Sequence, residues 1–458
     1  MNERKNIPYR FFWNWDHSTN WCLNTLGEQN CGVGNPYLKR GDFFEKDFCR
    51  MIDWCADHKM TATGIVGMLR DDHGGVDSAR RICAYAQEKG VKVYIIAGLF
   101  AYGGIYYEGN HKYSLDRFLE KNPDCMGKTP DGAPLYKKFQ HPYGIKNDPQ
   151  GCSSNPLLHE FVLESLDWLF REIPELGGIQ MESGDTGVCD CELCRARRGN
   201  AAAKEPLSIA DMAGIYPDAA ATIRRVNPGA LIICETYHHF LDPECQYFNA
   251  ENPSDDLKKL LAMPESTFWQ WKCDRRLRND PWPLNQPMLP AMQKFHHVMR
   301  SHCGTQWWGG RHTLDIERIR KQCLLSHASG LDAVSMFGEA SPFHTNSEFN
   351  YLALEYFADA PTAKMESFIA DVMAPRLGGR DIAARYYEMA YCIRTDWQKI
   401  PAYTREIAQI QAGITGDEQL RRWQYLANFL QSFYWEGRLN GDTWDVGVKR
   451  GGGDRPDE

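Results

Sequence analysis

Over residues 1–340 the chain alternates short apolar runs with amphipathic segments, and it does so eight times. The apolar runs are Arg10–Trp15, Thr61–Leu69, Lys92–Phe100, Gly177–Glu182, Leu231–Thr236, Thr267–Cys273, Thr305–Trp308 and Asp332–Phe337. Helical patterns fall between them at Asp42–His58, Val76–Lys89, Pro156–Ile173, Ile209–Val226, Ala291–His302 and Ile316–Ser329. Asn155-Pro156 reads as a cap followed by a first-turn residue, and Gly90 and Gly330 read as stops. Strands joined by helical crossovers must lie parallel. Eight of them, with no GxGxxG after the first, predict an α/β fold that closes as a (β/α)8 barrel over 1–340. From Glu348 to Leu439 the segments read as helices without strands, so a helical C-terminal region over 341–450 is expected. The Gly-rich charged tail 451–458 is expected to be disordered.

In such a barrel the interior is filled by packing, and chemistry comes from the C-terminal ends of the strands. The residues there form a polar and aromatic set. Trp13, Trp15, Asp16 and His17 follow the first strand, and Arg70, Asp71, Asp72 and His73 the second. Glu182 and Asp185 follow the fourth, Glu235, Tyr237 and His238 the fifth, and Trp269, Trp271 and Asp274 belong to the sixth. Trp307, Trp308 and Arg311 follow the seventh, and Glu339 the eighth. One carboxylate at a strand end commonly caps a helix or pairs with a cation; several converging ones suit general acid/base work.

Carboxylates facing indoles match glycoside cleavage, in which one carboxyl protonates the leaving oxygen and a second assists attack. Glu182 is the expected acid, since the apolar strand before it favours its protonated form. Asp185, Glu235, Asp274 and Glu339 are candidate partners. Trp13, Trp15, Asp16, His17, Arg70, His73, Tyr237, Trp269, Trp271, Trp307 and Trp308 are the expected substrate contacts, and Arg70 or Arg311 would favour an anionic sugar. The seventh run carries no carboxylate, which argues against a glutamate nucleophile on that strand.

Cys189-x-Cys191-x-x-Cys194 brings three thiols within reach of one Zn2+, with Cys22, Cys31, Cys152 or His238 as a fourth ligand. Such an ion would be structural, since four protein ligands leave no open position; reduced thiols packed in the loop are the alternative. Catalysis itself needs no cofactor. The long connection Ala101–Gln150 reads as a lid or as an inert insertion, with Tyr102, Tyr106, Tyr107 and His111 as its contacts.

Composition sets the outer limits. A net charge of −8 without a dense basic stripe speaks against nucleic acid as a partner. No apolar run approaches membrane-spanning length, and residues 1–9 lack a signal core. Sixteen cysteines scattered singly suit a reducing compartment, so the cytoplasm is expected. Fourteen Trp, 21 Tyr and 21 Phe, many near strand ends, suggest an aromatic pocket wall for a carbohydrate.

The block Cys152-Ser-Ser-Asn-Pro156, then Gly178-Ile-Gln-Met-Glu-Ser-Gly-Asp185 with its CxCxxC, resembles barrel glycoside hydrolases of the α-glucuronidase and β-hexosaminidase type and their relatives. Ser347-Glu-Phe-Asn-Tyr-Leu-Ala-Leu-Glu355 is similar to a Glu-x-Asn-Tyr helix that follows the barrel in some of them. The resemblance spans Cys152 to Gly379 and implies a sugar-cleaving barrel with Glu182 as acid. Met181 stands where the β-hexosaminidase pattern has the Asp of an Asp-Glu pair, which argues against assistance by an N-acetyl group. Two rivals remain. A carbohydrate-binding barrel without chemistry would keep the indoles and use the acids for structure. A zinc-containing transglycosylase that exchanges bases in transfer RNA shares the barrel and the CxCxxC, but there the downstream His lies much nearer the thiols than His238 does here.

Overall fold

Tyr9–Trp15 (β1), Ala62–Val66 (β2), Lys92–Gly98 (β3), Gly178–Glu182 (β6), Leu231–His239 (β7), Thr267–Lys272 (β8), His296–Arg300 (β9) and Ala333–Phe337 (β10) close into one parallel barrel. A separate antiparallel hairpin, Tyr136–His141 (β4) with Gly144–Pro149 (β5), lies in the long connection after β3. The computed structural model describes residues 5–22, 41–141, 144–182, 188–203, 207–239, 253–273, 290–303, 313–395 and 397–440. Asp185, Asp274, Trp307, Trp308, Arg311, Cys31 and the tail 451–458 lie outside those residues. Among the described residues no helix is long and apolar enough to cross a membrane.

Two expected elements are corrected. The seventh barrel strand is His296–Arg300, inside the expected helix Ala291–His302, and it pairs with β8 and β10. Met292, Phe295, Val298 and Met299 recur at helical spacing, but a short apolar run fits either period. The barrel's need for an edge partner on both sides decides for strand. The run Thr305–Trp308 lies outside the described residues. The expected helix Ile209–Val226 breaks into Ile209–Ala213 and Tyr216–Val226. The ring of Pro217 would strike the carbonyl four residues earlier, so a new helix starts with Pro in its first turn.

Side-chain alternation sorts each strand. Phe11, Trp13, Trp15, Tyr94, Ile96, Ile233, Phe268, Val298 and Phe337 pack inside the barrel. Phe12, Ile65, Ile95, Ile179, Met181, Ile232, Trp269, Trp271, Met299 and Met336 pack between the sheet and its helices. Tyr94 crosses the interior only because its partner in register is Gly64, where a Cβ would stand 2.2 Å from the Tyr94 Cε2 atom. Gly64→Ala is therefore expected to cost about 1–3 kcal/mol, as overpacking does. A thermal melt would show it, and an unchanged Tm would contradict this packing.

The helices Thr345–Asp359 through Asp417–Asn440 form the C-terminal region. The Glu-x-Asn-Tyr stretch is its staple. Asn350 Nδ2 donates to the Thr313 carbonyl at 2.9 Å and its Oδ1 accepts from Asp315 N at 2.7 Å. Tyr351 OH donates to the Ala340 carbonyl, and Glu348 takes Arg422 at 2.6 and 2.9 Å. These contacts tie the chain that enters and leaves β10 to the helical region.

Candidate active site

Glu182 and Glu235 occupy the inward face at the C-terminal ends of neighbouring strands. Met181 pairs with Cys234, so the next residues, Glu182 and Glu235, stand side by side. Adjacent strands run about 4.8 Å apart, which brings the two carboxyls to one part of the mouth. Gln180 Nε2, one inward position below, donates to Glu182 Oε2 at 3.2 Å.

Glu235 is fully buried. Its Oε1 accepts from the Tyr237 backbone N–H at 2.8 Å, its Oε2 accepts from Gln270 Nε2, and Arg300 Nε faces Oε2 at 3.3 Å. Tyr237 adopts φ 60°, a left-handed conformation unusual for a bulky residue, just where β7 loses register with β8. That kink turns its N–H back onto Glu235. The Arg300 guanidinium lies 5.5 Å from the Tyr237 ring centre and 5.8 Å from that of Trp13, and Lys272 Nζ lies 4.6 Å from the Tyr237 ring. Burial pushes the Tyr94 phenol well above the tyrosine range; Arg300 opposes this, and the charges of Glu235 and Glu182 add to it. Its hydroxyl is thus a neutral group within electrostatic reach of both acids.

The strand order places β1 across the barrel from β7. Trp13 and Trp15 alternate onto its inner face with ring centres 5.7 Å apart at 84°, and His17 follows 5.5 Å from Trp15. Trp13 Nε1, Trp15 Nε1 and His17 Nε2 are all buried and make no hydrogen bond among the described residues. Three orphaned polar atoms on one side of a mouth are costly unless a ligand meets them.

Below His17 sits a closed ionic cluster. Asp16 Oδ1 meets His17 Nδ1 at 2.9 Å, and Asp16 Oδ2 accepts from Arg70 Nε at 2.7 Å with His73 Nε2 at 3.5 Å. Arg70 also binds Glu108 and lies 4.7 Å from the Tyr107 ring, while His73 stacks on Phe44 and meets the Gly67 carbonyl at 2.9 Å. Burial alone would raise the Asp16 carboxyl, but the Arg70 charge and the hydrogen bonds from His17 and His73 hold it well below the usual range. Gly67, at φ 77°, makes room: a Cβ there would lie 2.7 Å from the Asp16 carboxyl. With its Nδ1 turned to the Asp16 carboxylate, His17 leaves Nε2 toward the mouth.

Several expected contacts stand elsewhere. Trp269 and Trp271 point out of the barrel, because on β8 the inward positions are Phe268, Gln270 and Lys272. Asp16, Arg70 and His73 hold one another. Glu339 follows β10, across the barrel from β6; it is fully buried and accepts from Ser18 Oγ at 2.5 Å. In the long connection Tyr102 and Tyr107 join the interior cluster, whereas Tyr106 hydrogen-bonds Asp71 and stacks on His111, which packs against Trp168. Gln180, Gln270, Lys272, Arg300 and Tyr94 are site residues absent from the expected set. All occupy inward positions on their strands; alternation counted from the strand ends would have found Gln180, Gln270, Lys272 and Tyr94, but not Arg300, whose strand reads as helix.

Of the thiols, Cys189, Cys191 and Cys194 meet Cys152, the four sulfurs lying within 4.8 Å of one another.

No protein-family profile matches the chain, and no curated protein matches it in sequence. Among solved structures it is similar to a GH138 enzyme targeting pectin rhamnogalacturonan II, with a TM-score of 0.51 and 10% identity over 98% of this chain and 58% of that one. The chain thus spans little more than half the length of that enzyme. An α-amylase from Geobacillus thermoleovorans gives a TM-score of 0.43 and 11% identity over 78% of this chain and 80% of that one. The cyclic α-maltosyl-(1→6)-maltose hydrolase of Arthrobacter globiformis gives 0.42 and 10% over 77% and 82%. The likeness to the GH138 enzyme does not bear out the expected α-glucuronidase or β-hexosaminidase type. At 10% identity the likeness to the GH138 enzyme is one of fold, a (β/α)8 barrel.

Proposed function

We propose that the chain hydrolyses a glycoside at the C-terminal mouth of the barrel, with Glu182 as general acid and Glu235 as its partner. One observation carries the reading: two carboxyls end neighbouring strands on the inward face, opposite two indole N–H groups and the His17 Nε2 atom, none of which has a hydrogen-bond partner among the described residues. A sugar ring held between these walls would stack on Trp13 or Trp15 and offer hydroxyls to their N–H groups and to His17 Nε2. Glu182, half-buried above Gln180, would protonate the leaving oxygen. Glu235, braced by Gln270, Tyr237 N and Arg300, would attack the anomeric carbon or activate water. Glu235 is preferred over Glu339 because it stands beside Glu182 on the neighbouring strand, whereas Glu339 follows β10 across the barrel.

The substrate is a carbohydrate, and the chemistry takes no cofactor. The thiol-rich chain suits a reducing cytoplasm. Release of reducing ends from a panel of oligosaccharides and aryl glycosides tests the reading; no turnover across the panel, with sugar still quenching tryptophan fluorescence, would favour a binding barrel instead. A hydrogen bond of about 1 kcal/mol from His17 predicts that His17→Ala raises KM several-fold with a smaller change in kcat. Loss of thermal stability with KM unchanged would make His17 structural.

A further inference from the structure

Two segments that leave the barrel mouth meet at sulfur. Cys152 ends the connection after β3, directly before the helix Pro156–Glu172, which Asn155 caps by accepting from Leu157 N and Leu158 N at 3.0 and 3.2 Å. Cys189, Cys191 and Cys194 belong to the loop that starts at Glu182, on the next strand of the barrel. Cys152 Sγ stands 3.6 Å from Cys191 Sγ and 3.7 Å from Cys194 Sγ. A tetrahedral ion with Zn–S bonds of about 2.3 Å sets its sulfurs about 3.8 Å apart. Sulfurs this close suit one ion and not a multi-iron cluster, whose ligands stand farther apart.

The surroundings are built for such a site. Cys152, Cys189 and Cys194 are buried, and Cys191 is half-buried. Lys128 N–H points at Cys189 Sγ at 3.3 Å, and Ser154 Oγ lies 3.2 Å from Cys194 Sγ. The backbone joins the same two segments, through Asp190 N to the Lys128 carbonyl at 2.7 Å. Asp190 is held by Arg195 and Arg198, and Arg197 bridges Asp211 and Ser153 Oγ, so these ion pairs orient the ligand loop and leave the thiols to the ion.

We infer that Cys152, Cys189, Cys191 and Cys194 bind one Zn2+ as a closed tetrathiolate site that cross-links the β3 connection to the Glu182 loop. The site has no open coordination position, so its role is to brace two walls of the mouth. It stands whether or not the chain cleaves glycosides.

The test uses the full chain purified under reducing conditions. One zinc per chain is expected, together with a cobalt-exchanged form showing the intense visible bands and sulfur charge transfer of a four-thiolate tetrahedron. Cys152→Ser should weaken those bands and speed loss of metal to a chelator by at least about tenfold, since even the partners that orient metal ligands are worth about 10–100-fold. Cys125→Ser should leave both unchanged: that thiol is buried nearby, hydrogen-bonds Asn155 and lies outside the cluster. Removing zinc should open the segments around 125–152 and 188–200 to protease together. Should Cys152→Ser fail to fold, the wild-type zinc content and cobalt spectrum still decide. Reduced wild-type protein without zinc, or a cobalt spectrum indifferent to Cys152, would overturn the inference.

Discussion

Asp16→Asn is expected to lower folding stability by about 3–5 kcal/mol, the cost of leaving a buried cation without its counter-charge. Arg70 is 1% exposed, and Asp16 is fully buried against it. Asparagine keeps the volume and one hydrogen bond but not the charge, so the guanidinium loses its buried counter-charge, and Glu108, whose side chain is 45% exposed, is a weaker substitute. Denaturant unfolding of the two proteins measures the difference. Acid gives an independent reading. The Asp16 carboxyl is depressed in the fold, so its contribution is complete above the unfolded value of about 3.9 and is lost as pH falls from there through the folded value. The wild type should therefore lose its advantage over Asp16→Asn progressively below about pH 4. A second change, Arg70→Met, should recover much of the loss, since removing both charges is far cheaper than removing one. An Asp16→Asn protein as stable as the wild type would show that the cluster does not hold the mouth.

The architecture was legible because period-2 and period-3.6 segments alternate so regularly. Seven of the eight expected strands coincide with barrel strands, and the eighth, at 305–308, lies outside the described residues. The failure at β9 is physical: Met292, Phe295, Val298 and Met299 recur at helical spacing, and only hydrogen bonding to β8 and β10 makes the run a strand. Which face of each strand looks inward was harder to read. On β8, Trp269 and Trp271 have the chemistry of a sugar-binding wall, yet the widest apolar interface in a helix-wrapped barrel lies outside the sheet, and the indoles go there. The upper interior takes the polar alternates, Gln180, Gln270 and Arg300, which composition disguises as surface residues. Glu182 and Glu235 were visible as strand-end acids, but their adjacency needed the strand order. The CxCxxC announced three thiols; choosing Cys152, 37 residues before Cys189, from the candidate fourth ligands needed the fold.

The larger functional effect is expected at Glu182. Proton donation to a departing oxygen contributes about 10²–10⁴-fold, so Glu182→Gln should lower kcat by that factor, about 3–5 kcal/mol of transition-state stabilisation. Glutamine preserves the shape and can still meet Gln180, so sugar binding and Tm should stay near wild type. The loss should also depend on the leaving group. A dinitrophenyl group departs without protonation, whereas an alkyl or sugar alcohol does not. A general acid therefore predicts near-normal kcat/KM for the activated glycoside and severe loss on the natural-type bond. Glu235→Gln, by contrast, should be impaired on both, because departure of either group is completed only with attack at the anomeric carbon.

The most direct measurement is the ratio of kcat/KM for an activated aryl glycoside to that for an unactivated glycoside of the same sugar, in wild type and in Glu182→Gln. With Glu182 as the acid, the ratio should rise by about 10²-fold or more in the variant while sugar affinity is retained. An unchanged ratio, or a variant that turns over both substrates like the wild type, would contradict Glu182 as the acid and with it the paired-carboxylate site.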